Sequence, residues 1–172
     1  MNIFQKSINT PIGEMVACAT ENGICLLEFS NRKSLPIENN QIEKNFKAKI
    51  SIGENQHLTQ LENELKQYFA GVLKDFKVAL DPVGTDFQKL VWQELLKIPY
   101  GESRSYKKQS ISMNRPKSMR AVANANGKNK ISIVIPCHRV IGEDGTLHGY
   151  GGGVDRKKFL LDLENAKYKI KH

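Results

Sequence analysis

The sequence predicts a two-domain protein of the α/β class, more narrowly α+β, and three observations lead to this prediction. Short apolar stretches between turn signals fill the first thirty residues, which is typical of antiparallel strands. Apolar residues at helical spacing dominate residues 85–172 instead. The charge also changes, because residues 1–84 carry 9 Lys and Arg against 10 Asp and Glu, whereas residues 85–172 carry 17 against 8. We therefore place the domain boundary between residues 84 and 85.

The N-terminal domain should be structural and contain an antiparallel sheet with a helix. Turn signals at residues 10–13 and 21–23 bound two apolar stretches, and we expect strands over residues 15–18 and 24–29. Hairpin connections of this kind join neighbouring antiparallel strands.

The rest of this domain gives one clear helix. Residues 31–56 are polar and indicate no element strongly. The next helix should begin after Asn55, a plausible cap, and end at Gly71. Its apolar face comprises Leu58, Leu61, Leu65, Tyr68 and Phe69. Residues 72–84 resemble a strand-like connector that leads to the boundary.

The C-terminal domain, residues 85–172, should be mostly helical. Thr85 and Gln88 form the Thr-x-x-Gln pattern of a capping box, which marks a helix start. The predicted inward face of this helix is formed by Phe87, Leu90, Val91 and Leu95. The Pro-Tyr-Gly sequence at residues 99–101 should end it.

Two short helices should follow, joined by a tight turn. Ser105 is a suitable cap for a helix over residues 106–112. Pro116 fits the first position of a second helix over 116–126, which should end at Gly127. This pattern predicts a helix-turn-helix motif.

The end of the chain should present an active-site strand and loop and then a last helix. Ile131, Ile133 and Ile135 alternate with their neighbours, which predicts a strand that Pro136 ends. The glycine-rich residues 149–153 should form a loop. A final helix is expected over 154–167, with Phe159, Leu160 and Leu163 pointing inward.

The positive charge is concentrated in one segment. Residues 103–142 contain nine Lys and Arg and no Asp or Glu. A charge run is usually a solvated face, but forty residues without a carboxylate favour a polyanion-binding surface.

Cys137 is the candidate nucleophile. It follows the predicted strand end, where the backbone is rigid, and His138 stands next to it. The alternative is an inert buried cysteine, since free cysteines are often buried. A thiol near its ordinary pKa needs a base or a positive field to react at neutral pH, and His138 is the adjacent base. Glu164, on the last helix, is one of the few carboxylates available to orient it, unless it is a solvated surface charge.

Other classes of protein fit the sequence less well. No apolar stretch has the ~20 residues that a membrane span needs, and the first residues lack a signal-peptide layout. Three cysteines are typical of a reducing, intracellular compartment. Cys18, Cys25 and His57 lack common zinc-site spacing, so we expect no metal and no cofactor.

The segment from Gly84 to Glu164 closely resembles the O6-alkylguanine-DNA alkyltransferases. The matching pieces are Gly84-Thr85-x-Phe87-Gln88-x-x-Val91-Trp92, Ile98-Pro99-x-Gly101, Ser105-Tyr106, Arg120-Ala121-Val122, Ala125-Asn126-Gly127-x-Asn129, Ile135-Pro136-Cys137-His138-Arg139-Val140-Ile141 and Gly149-Tyr150-x-Gly152-Gly153. Residues 1–84 resemble the N-terminal domain of the family more weakly, mainly through residues 10–13 and the strands after them.

The resemblance implies catalytic roles for four residues. Cys137 is the expected alkyl acceptor, His138 its base through a water, and Glu164 the residue that orients the imidazole. Tyr106 is expected to protonate the departing guanine and to crowd the phosphate of the flipped nucleotide.

The resemblance also implies DNA-binding and pocket residues. Arg120 should fill the gap that the flipped base leaves, and Asn129 should fasten the helix-turn-helix to the active-site strand. The base pocket should be lined by Tyr150, Gly151 and the carbonyls of Cys137 and Val140. The remaining expected DNA contacts are Arg115, Lys117, Ser118, Ala121, Ala123, Lys128 and Lys130.

The function predicted from these residues is direct repair of O6-alkylguanine by stoichiometric, irreversible transfer of the alkyl group to Cys137. The expected partner is double-stranded DNA, and the expected form is a cytoplasmic monomer that contacts no membrane. Two alternatives are a non-catalytic binder of alkylated DNA and a Cys-His hydrolase. Repair of O4-alkylthymine stays open.

Overall fold

The computed structural model describes residues 1–147 and 149–168, which form two compact units. The first unit contains Met1–Val83 together with Lys130–Ser132. The second contains Gly84–Asn129 and the described residues from Ile133 onward. The mixed α+β class predicted from the sequence is confirmed.

The first unit is built on a four-stranded sheet with the strand order β3-β2-β1-β4. Its strands are β1 (Ile3–Thr10), β2 (Gly13–Ala19), β3 (Ile24–Phe29) and β4 (Ile50–Ile52). The first three strands pair antiparallel, as predicted, and β4 adds a short parallel pairing with β1. All six residues of β3 are buried, so this strand lies within the core.

Two helices belong to this unit, and only the second was predicted. The unpredicted helix, α1 (Leu35–Phe46), is mostly polar and buries only Glu38 and Ile42, so its apolar periodicity is weak. The predicted helix, α2 (Gln56–Phe69), is capped by Asn55, whose Oδ1 accepts from the Leu58 N–H at 3.0 Å. Residues 72–84 contain only an isolated bridge to β3 rather than a strand.

The second unit begins with α3 (Asp86–Leu95), whose predicted capping box is present. Thr85 Oγ1 accepts from the Gln88 N–H at 3.1 Å, and Gln88 Oε1 accepts from the Thr85 N–H at 3.0 Å. The predicted inward position of Leu90 is wrong, because 48% of this residue is exposed. Trp92 is buried instead and donates from Nε1 to the Ala125 carbonyl at 2.9 Å.

The two predicted short helices are α4 (Tyr106–Ser112) and α5 (Met119–Gly127). Ser105 caps α4 as expected, since its Oγ accepts from the Lys108 N–H at 3.0 Å. The predicted start of α5 at Pro116 is wrong. Pro116 occupies the second position of a tight turn closed by the Ser118 N–H and the Arg115 carbonyl at 2.9 Å, where its fixed φ also fits.

The predicted strand over residues 131–135 is absent. Residues 131–136 are all buried, so their alternation does not mark one solvated face, and Ile133 has a left-handed φ of 72°. A 3-10 turn (Cys137–Arg139) follows directly and leads into β6 (Val140–Ile141), which pairs in parallel with β5 (Arg104–Ser105).

The last helix, α6 (Val154–Leu163), is shorter than predicted. Asn165 takes a left-handed φ of 59°, and its N–H and that of Ala166 bond back to Asp162 and Leu161. This arrangement is a Schellman motif, which ends the helix with Glu164 at the C-cap. Phe159 is exposed, contrary to the prediction, whereas Leu160 and Leu161 are buried. None of the helices in the described part of the chain is long and apolar enough to span a membrane.

Candidate active site

Cys137 is the first residue of the 3-10 turn and is partly exposed, although residues 131–136 before it are buried. The turn is closed by the Arg139 N–H, which donates to the Pro136 carbonyl at 3.0 Å. A buried stretch thus holds the backbone in place while the thiol stays accessible. Accessibility of this kind is what a nucleophile requires, and Cys137 is not the fully buried cysteine of the alternative interpretation.

Asn129 lies just after α5 and bonds directly to the cysteine. Its Nδ2 donates to the Ile135 carbonyl at 2.9 Å and to the Cys137 Sγ at 3.3 Å. A donor aimed at sulfur favours the thiolate over the thiol. The same amide therefore ties the end of α5 to the backbone before the cysteine and supports its reactive form.

His138 and Glu164 form a buried pair. The Nε2 of His138 lies 2.7 Å from the Glu164 Oε2, and neither side chain is exposed. Because a carboxylate accepts, Nε2 carries the proton and Nδ1 keeps its lone pair. Burial lowers the pKa of His138, although the hydrogen bond with Glu164 opposes this. Among the described residues, none is within hydrogen-bonding reach of this buried Nδ1. A neutral imidazole with a free lone pair can act as a base.

Glu164 is not the solvated surface charge that the alternative interpretation required, since only 1% of it is exposed. Burial alone would raise its pKa, but the hydrogen bonds from His138 and Arg139 outweigh burial and lower the pKa to about 2. The carboxylate is therefore ionised at every pH at which the protein would work.

Arg139 holds that carboxylate from the other side, a contact that sequence reasoning missed. Its Nε donates to Glu164 Oε1 at 2.8 Å and its Nη2 donates to Oε2 at 3.1 Å. Its Nη1 donates to the Ile98 carbonyl at 2.6 Å, and the guanidinium lies 5.9 Å from the Tyr100 ring centre. The bidentate contact fixes the plane of the carboxylate that His138 meets. Arg139 is buried, so it does not belong to the polyanion-binding surface on which the sequence analysis counted it.

Lys157 is a second buried cation that sequence reasoning missed. Only 1% of it is exposed, and its Nζ donates to the Val140 carbonyl at 2.5 Å. Burial lowers the pKa of Lys157 to about 8, and the charge of Cys137 opposes this shift. The spacing of Lys157 with Leu160 and Leu161 on one face of α6 was the signal available in the sequence. The charge interaction between Lys157 and Cys137 favours the thiolate.

Tyr106 begins α4 and lies beside these groups. Its ring centre is 6.0 Å from the Lys157 Nζ. Burial, together with the charge of Cys137, raises the pKa of Tyr106 to about 12, so its hydroxyl stays protonated and can donate. Gly149 has a φ of 73°, and a Cβ there would lie 3.0 Å from the Tyr106 hydroxyl. Glycine therefore permits both this backbone conformation and the close approach of the loop.

The predicted pocket residues belong to two segments, the 3-10 turn with Val140 after it and the glycine-rich segment at residues 149–153. The Cys137 carbonyl accepts from the Val140 N–H, and the Val140 carbonyl accepts from Lys157. Tyr150 is buried and Gly151 is exposed. Whether these groups read a base stays a prediction.

The predicted DNA-binding side chains lie on α5 and the segments flanking it. Arg120 and Ala121 are exposed on the first turn of α5, whereas Ser118 and Ala123 are partly buried. The exposed basic residues around them are Arg115, Lys117 and Lys128. The Arg115 guanidinium lies 5.4 Å from the Phe87 ring centre, which restrains it despite its exposure.

Lys130 does not belong to this surface, contrary to the prediction. It is buried in the first unit, where its Nζ donates to the Val83 carbonyl at 3.0 Å. The other two cysteines also lie in that unit and are buried and unpaired. Burial raises the pKa of Cys18 to about 11. Among the described residues, no group of three or more His, Cys, Asp and Glu is placed to hold a metal ion.

Comparisons with known proteins place this geometry in a family. Residues 86–166 match the DNA-binding domain of the 6-O-methylguanine DNA methyltransferases, and residues 3–82 match the ribonuclease-like domain of the same proteins. The chain belongs to the 6-O-methylguanine DNA methyltransferase family.

Individual relatives agree over nearly the whole chain. The methylated-DNA–protein-cysteine methyltransferase of Methanosarcina barkeri is 43% identical over 163 residues, 94% of this chain and 97% of the relative. The constitutive enzyme of that name from Bacillus subtilis is 38% identical over 98% of this chain and 99% of its own length. The crystal structure of Mycobacterium tuberculosis OGT in complex with DNA is similar with a TM-score of 0.80 and 40% identity, over 94% of this chain and 92% of that one.

Membership in the methyltransferase family confirms the resemblance on which the sequence analysis relied. The roles of individual residues stay predictions, although the structure brings Cys137, Asn129 and Tyr106 near the same turn of chain. It also brings His138 against Glu164, 26 residues away in sequence.

Proposed function

We propose that Cys137 is the acceptor in the reaction of this methyltransferase, which repairs DNA by moving an alkyl group from the DNA to a cysteine of the protein. One observation carries the proposal: a partly exposed thiol receives a hydrogen bond from Asn129 and lies next to a buried His138–Glu164 pair. Neither of the other two cysteines has such surroundings, since both are buried in the first unit.

The reaction on these residues begins with loss of the thiol proton to His138 Nδ1 through a bridging water. The thiolate then attacks the alkyl carbon on O6 of guanine, so that an S–C bond forms and the C–O bond breaks. The electron pair stays on the base, and the Tyr106 hydroxyl protonates the base as it leaves. Because a thioether has no easy route back to a thiol, each protein molecule acts once.

Several groups favour the ionised thiol without touching the substrate. Glu164 and Arg139 position the imidazole, Asn129 donates to the sulfur, and Lys157 adds a nearby positive charge. The hydrogen bond from Asn129 and the charge of Lys157 both act on the thiolate, which makes its formation easier than in water.

The protein binds DNA, and we propose that its substrate is duplex DNA that contains O6-alkylguanine. The target carbon lies inside a stacked duplex, so the nucleotide must be flipped out at a cost of a few kcal/mol. Arg120, exposed on the first turn of α5, fills the gap that remains. Arg115, Lys117 and Lys128 neutralise phosphates next to it.

We further propose that the protein acts as a monomer in the cytoplasm. All the groups that act on the substrate come from one unit of one chain. The three free thiols suit a reducing compartment.

The test is an intact-mass measurement after mixing the protein with duplex DNA that contains O6-methylguanine. We expect one added methyl group per protein, located at Cys137 by peptide mapping, and none on Cys137→Ala. Cys25→Ala serves as the matched control and should accept the methyl group like the unchanged protein. Methyl on Cys18 or Cys25, or binding without any added mass, would contradict the proposal, and turnover on an ester would indicate a hydrolase.

A further inference from the structure

The helix-turn-helix contains a buried polar pair that the proposed reaction does not use. Gln109 on α4 has no exposed surface, and only 6% of Asn126 on α5 is exposed. The Gln109 Nε2 donates to the Asn126 Oδ1 at 2.9 Å, and the Asn126 Nδ2 donates to the Gln109 Oε1 at 2.7 Å. The two side-chain amides are thus joined by reciprocal hydrogen bonds.

A reciprocal amide pair restrains two helices in a way that apolar packing does not. Apolar contacts are non-directional, so side chains can slide past each other with little loss. Two parallel hydrogen bonds fix both the distance and the orientation of the amide planes, because each bond weakens steeply when it is bent. A buried amide that loses its partner is also left unsatisfied, which disfavours every other arrangement of α4 and α5.

The positions of the pair connect it to the residues assigned to the DNA. Gln109 follows Tyr106 by three residues, so both lie on the same side of α4. Asn126 shares the buried face of α5 with Val122 and Ala125, which leaves Arg120 on the exposed side. The pair therefore joins the helix that carries Tyr106 to the helix that carries Arg120.

A second contact holds the same end of α5. The indole of Trp92 donates to the carbonyl of Ala125, the residue before Asn126, at 2.9 Å. This bond joins α5 to α3, whereas the amide pair joins α5 to α4. Two neighbouring residues of α5 thus bond to different helices, Ala125 to α3 and Asn126 to α4.

We propose that Gln109 and Asn126 are positioning residues that hold α4 and α5 in the arrangement needed to bind duplex DNA, an inference that rests on the proposed function. They act through the placement of α5 and its Arg120 against the duplex and touch neither the base nor the thiol, while Tyr106 keeps its own contact with Lys157. Their loss should weaken binding to duplex DNA while leaving the reaction of Cys137 with a free alkylated base unchanged.

The experiment compares Gln109→Met, Asn126→Leu and the double variant with the unchanged protein. Each single variant leaves one buried amide without its partner, so its thermal midpoint should fall by about 5 °C. The double variant removes both amides and should recover most of that loss, since no buried polar group is then unsatisfied. Leu61→Ala, a buried substitution on α2, serves as the control for a loss of stability that leaves the helix-turn-helix intact.

Two measurements at a temperature where every variant is folded decide the matter. The first is the dissociation constant for undamaged duplex, which involves no transfer and so tests the inference even if the proposed reaction fails. It should rise about tenfold in the single variants and stay raised in the double variant, because stability returns but directional pairing does not. The second is the rate at which free O6-benzylguanine alkylates Cys137, which should not change.

Recovery of duplex affinity together with stability in the double variant would show that the pair only fills the core and would overturn the inference. An equal loss of affinity in Leu61→Ala would overturn it as well. Failure of the unchanged protein to take up a methyl group at Cys137 would refute the proposed function instead. The dissociation constants for undamaged duplex would still test the role of Gln109 and Asn126.

Discussion

Replacing Glu164 by Gln changes the centre of the buried network while keeping its shape. The carboxylate offers two oxygens, of which Oε1 accepts from Arg139 and Oε2 accepts from both Arg139 and His138. An amide keeps one oxygen and turns the other position into a donor. That NH₂ group must face either the Arg139 guanidinium or the His138 Nε2–H, both of which also donate, so one buried hydrogen bond becomes a repulsive contact.

The size of the effect on stability follows from the pKa of Glu164. Its value of about 2, compared with 4.5 for an ordinary glutamate, corresponds to roughly 3 kcal/mol in favour of the folded state when the group is ionised. Because the folded-state pKa is the lower one, this contribution is present above about pH 4.5 and is lost as the pH falls toward 2. Glu164→Gln should therefore lower the free energy of unfolding at pH 7 by about 3 kcal/mol. It should also flatten the acid limb of the stability curve.

The effect on reactivity follows from the imidazole. Without the carboxylate, His138 loses the acceptor that fixes its Nε2 proton, and its Nδ1 is a less well-placed base. We expect the rising limb of the alkylation rate to move up by about one pH unit, which makes Cys137 about tenfold slower at pH 7. The assay is the intact-mass time course with O6-benzylguanine between about pH 5.5 and 9, a range that spans the titration of histidine and cysteine.

Asp162→Asn is the matched control, since it removes an exposed carboxylate two residues earlier, where Lys158 is its partner. It should leave the rate profile in place. An unchanged profile for Glu164→Gln, with an unchanged rate at pH 7, would refute the positioning role of the carboxylate.

Three further predictions test other parts of the site. Arg120→Ala should slow repair of O6-methylguanine in duplex DNA about tenfold or more but leave the reaction with free O6-benzylguanine unchanged, because only the duplex requires flipping; equal slowing of both reactions would contradict this role. Lys128→Gln should reduce the slope of log affinity for undamaged duplex against log salt concentration by about 1. Lys49→Gln, in the first unit, should leave that slope unchanged. A flat slope for the unchanged protein would argue against a phosphate-binding surface. Lys157→Met should slow alkylation of Cys137 most below pH 8, where the ammonium is charged, and the difference from the unchanged protein should shrink above that pH as the cation loses its proton. A difference that stays constant across pH 8 would show that Lys157 acts through packing alone.

Local signals in the sequence were sufficient for the helix caps that a single side chain provides. The Thr85–Gln88 capping box and the Asn55 and Ser105 caps all form as expected, because each joins groups three residues apart. The resemblance to the alkyltransferases rested on the order and spacing of short motifs, which can also be read directly from the sequence. The family comparisons confirm this resemblance.

The sequence was misleading where alternation of residue types had two explanations. Residues 131–135 alternate like a half-buried strand, but the structure buries every one of them and turns the chain at Ile133. Alternation of apolar and polar residues predicts a strand only when one side of the segment faces solvent and the other faces the core. The start of α5 was misplaced for a similar reason, because proline suits both the first helical position and the second position of a turn.

What the sequence by itself determined is therefore the class of fold, the family and the caps of α2, α3 and α4, and it singled out Cys137 as the candidate nucleophile. Only the tertiary structure decided which charges face solvent. Lys130, Arg139 and Lys157 are basic residues in or near the positive segment, yet all three are buried. Each donates a hydrogen bond to a carbonyl or carboxylate oxygen. Their partners lie between 17 and 47 residues away in the chain. The physical reason is that burial of a charge depends on whether a group distant in sequence compensates its desolvation. A local pattern can mark a buried face, as the spacing around Lys157 does, but it does not identify the compensating group.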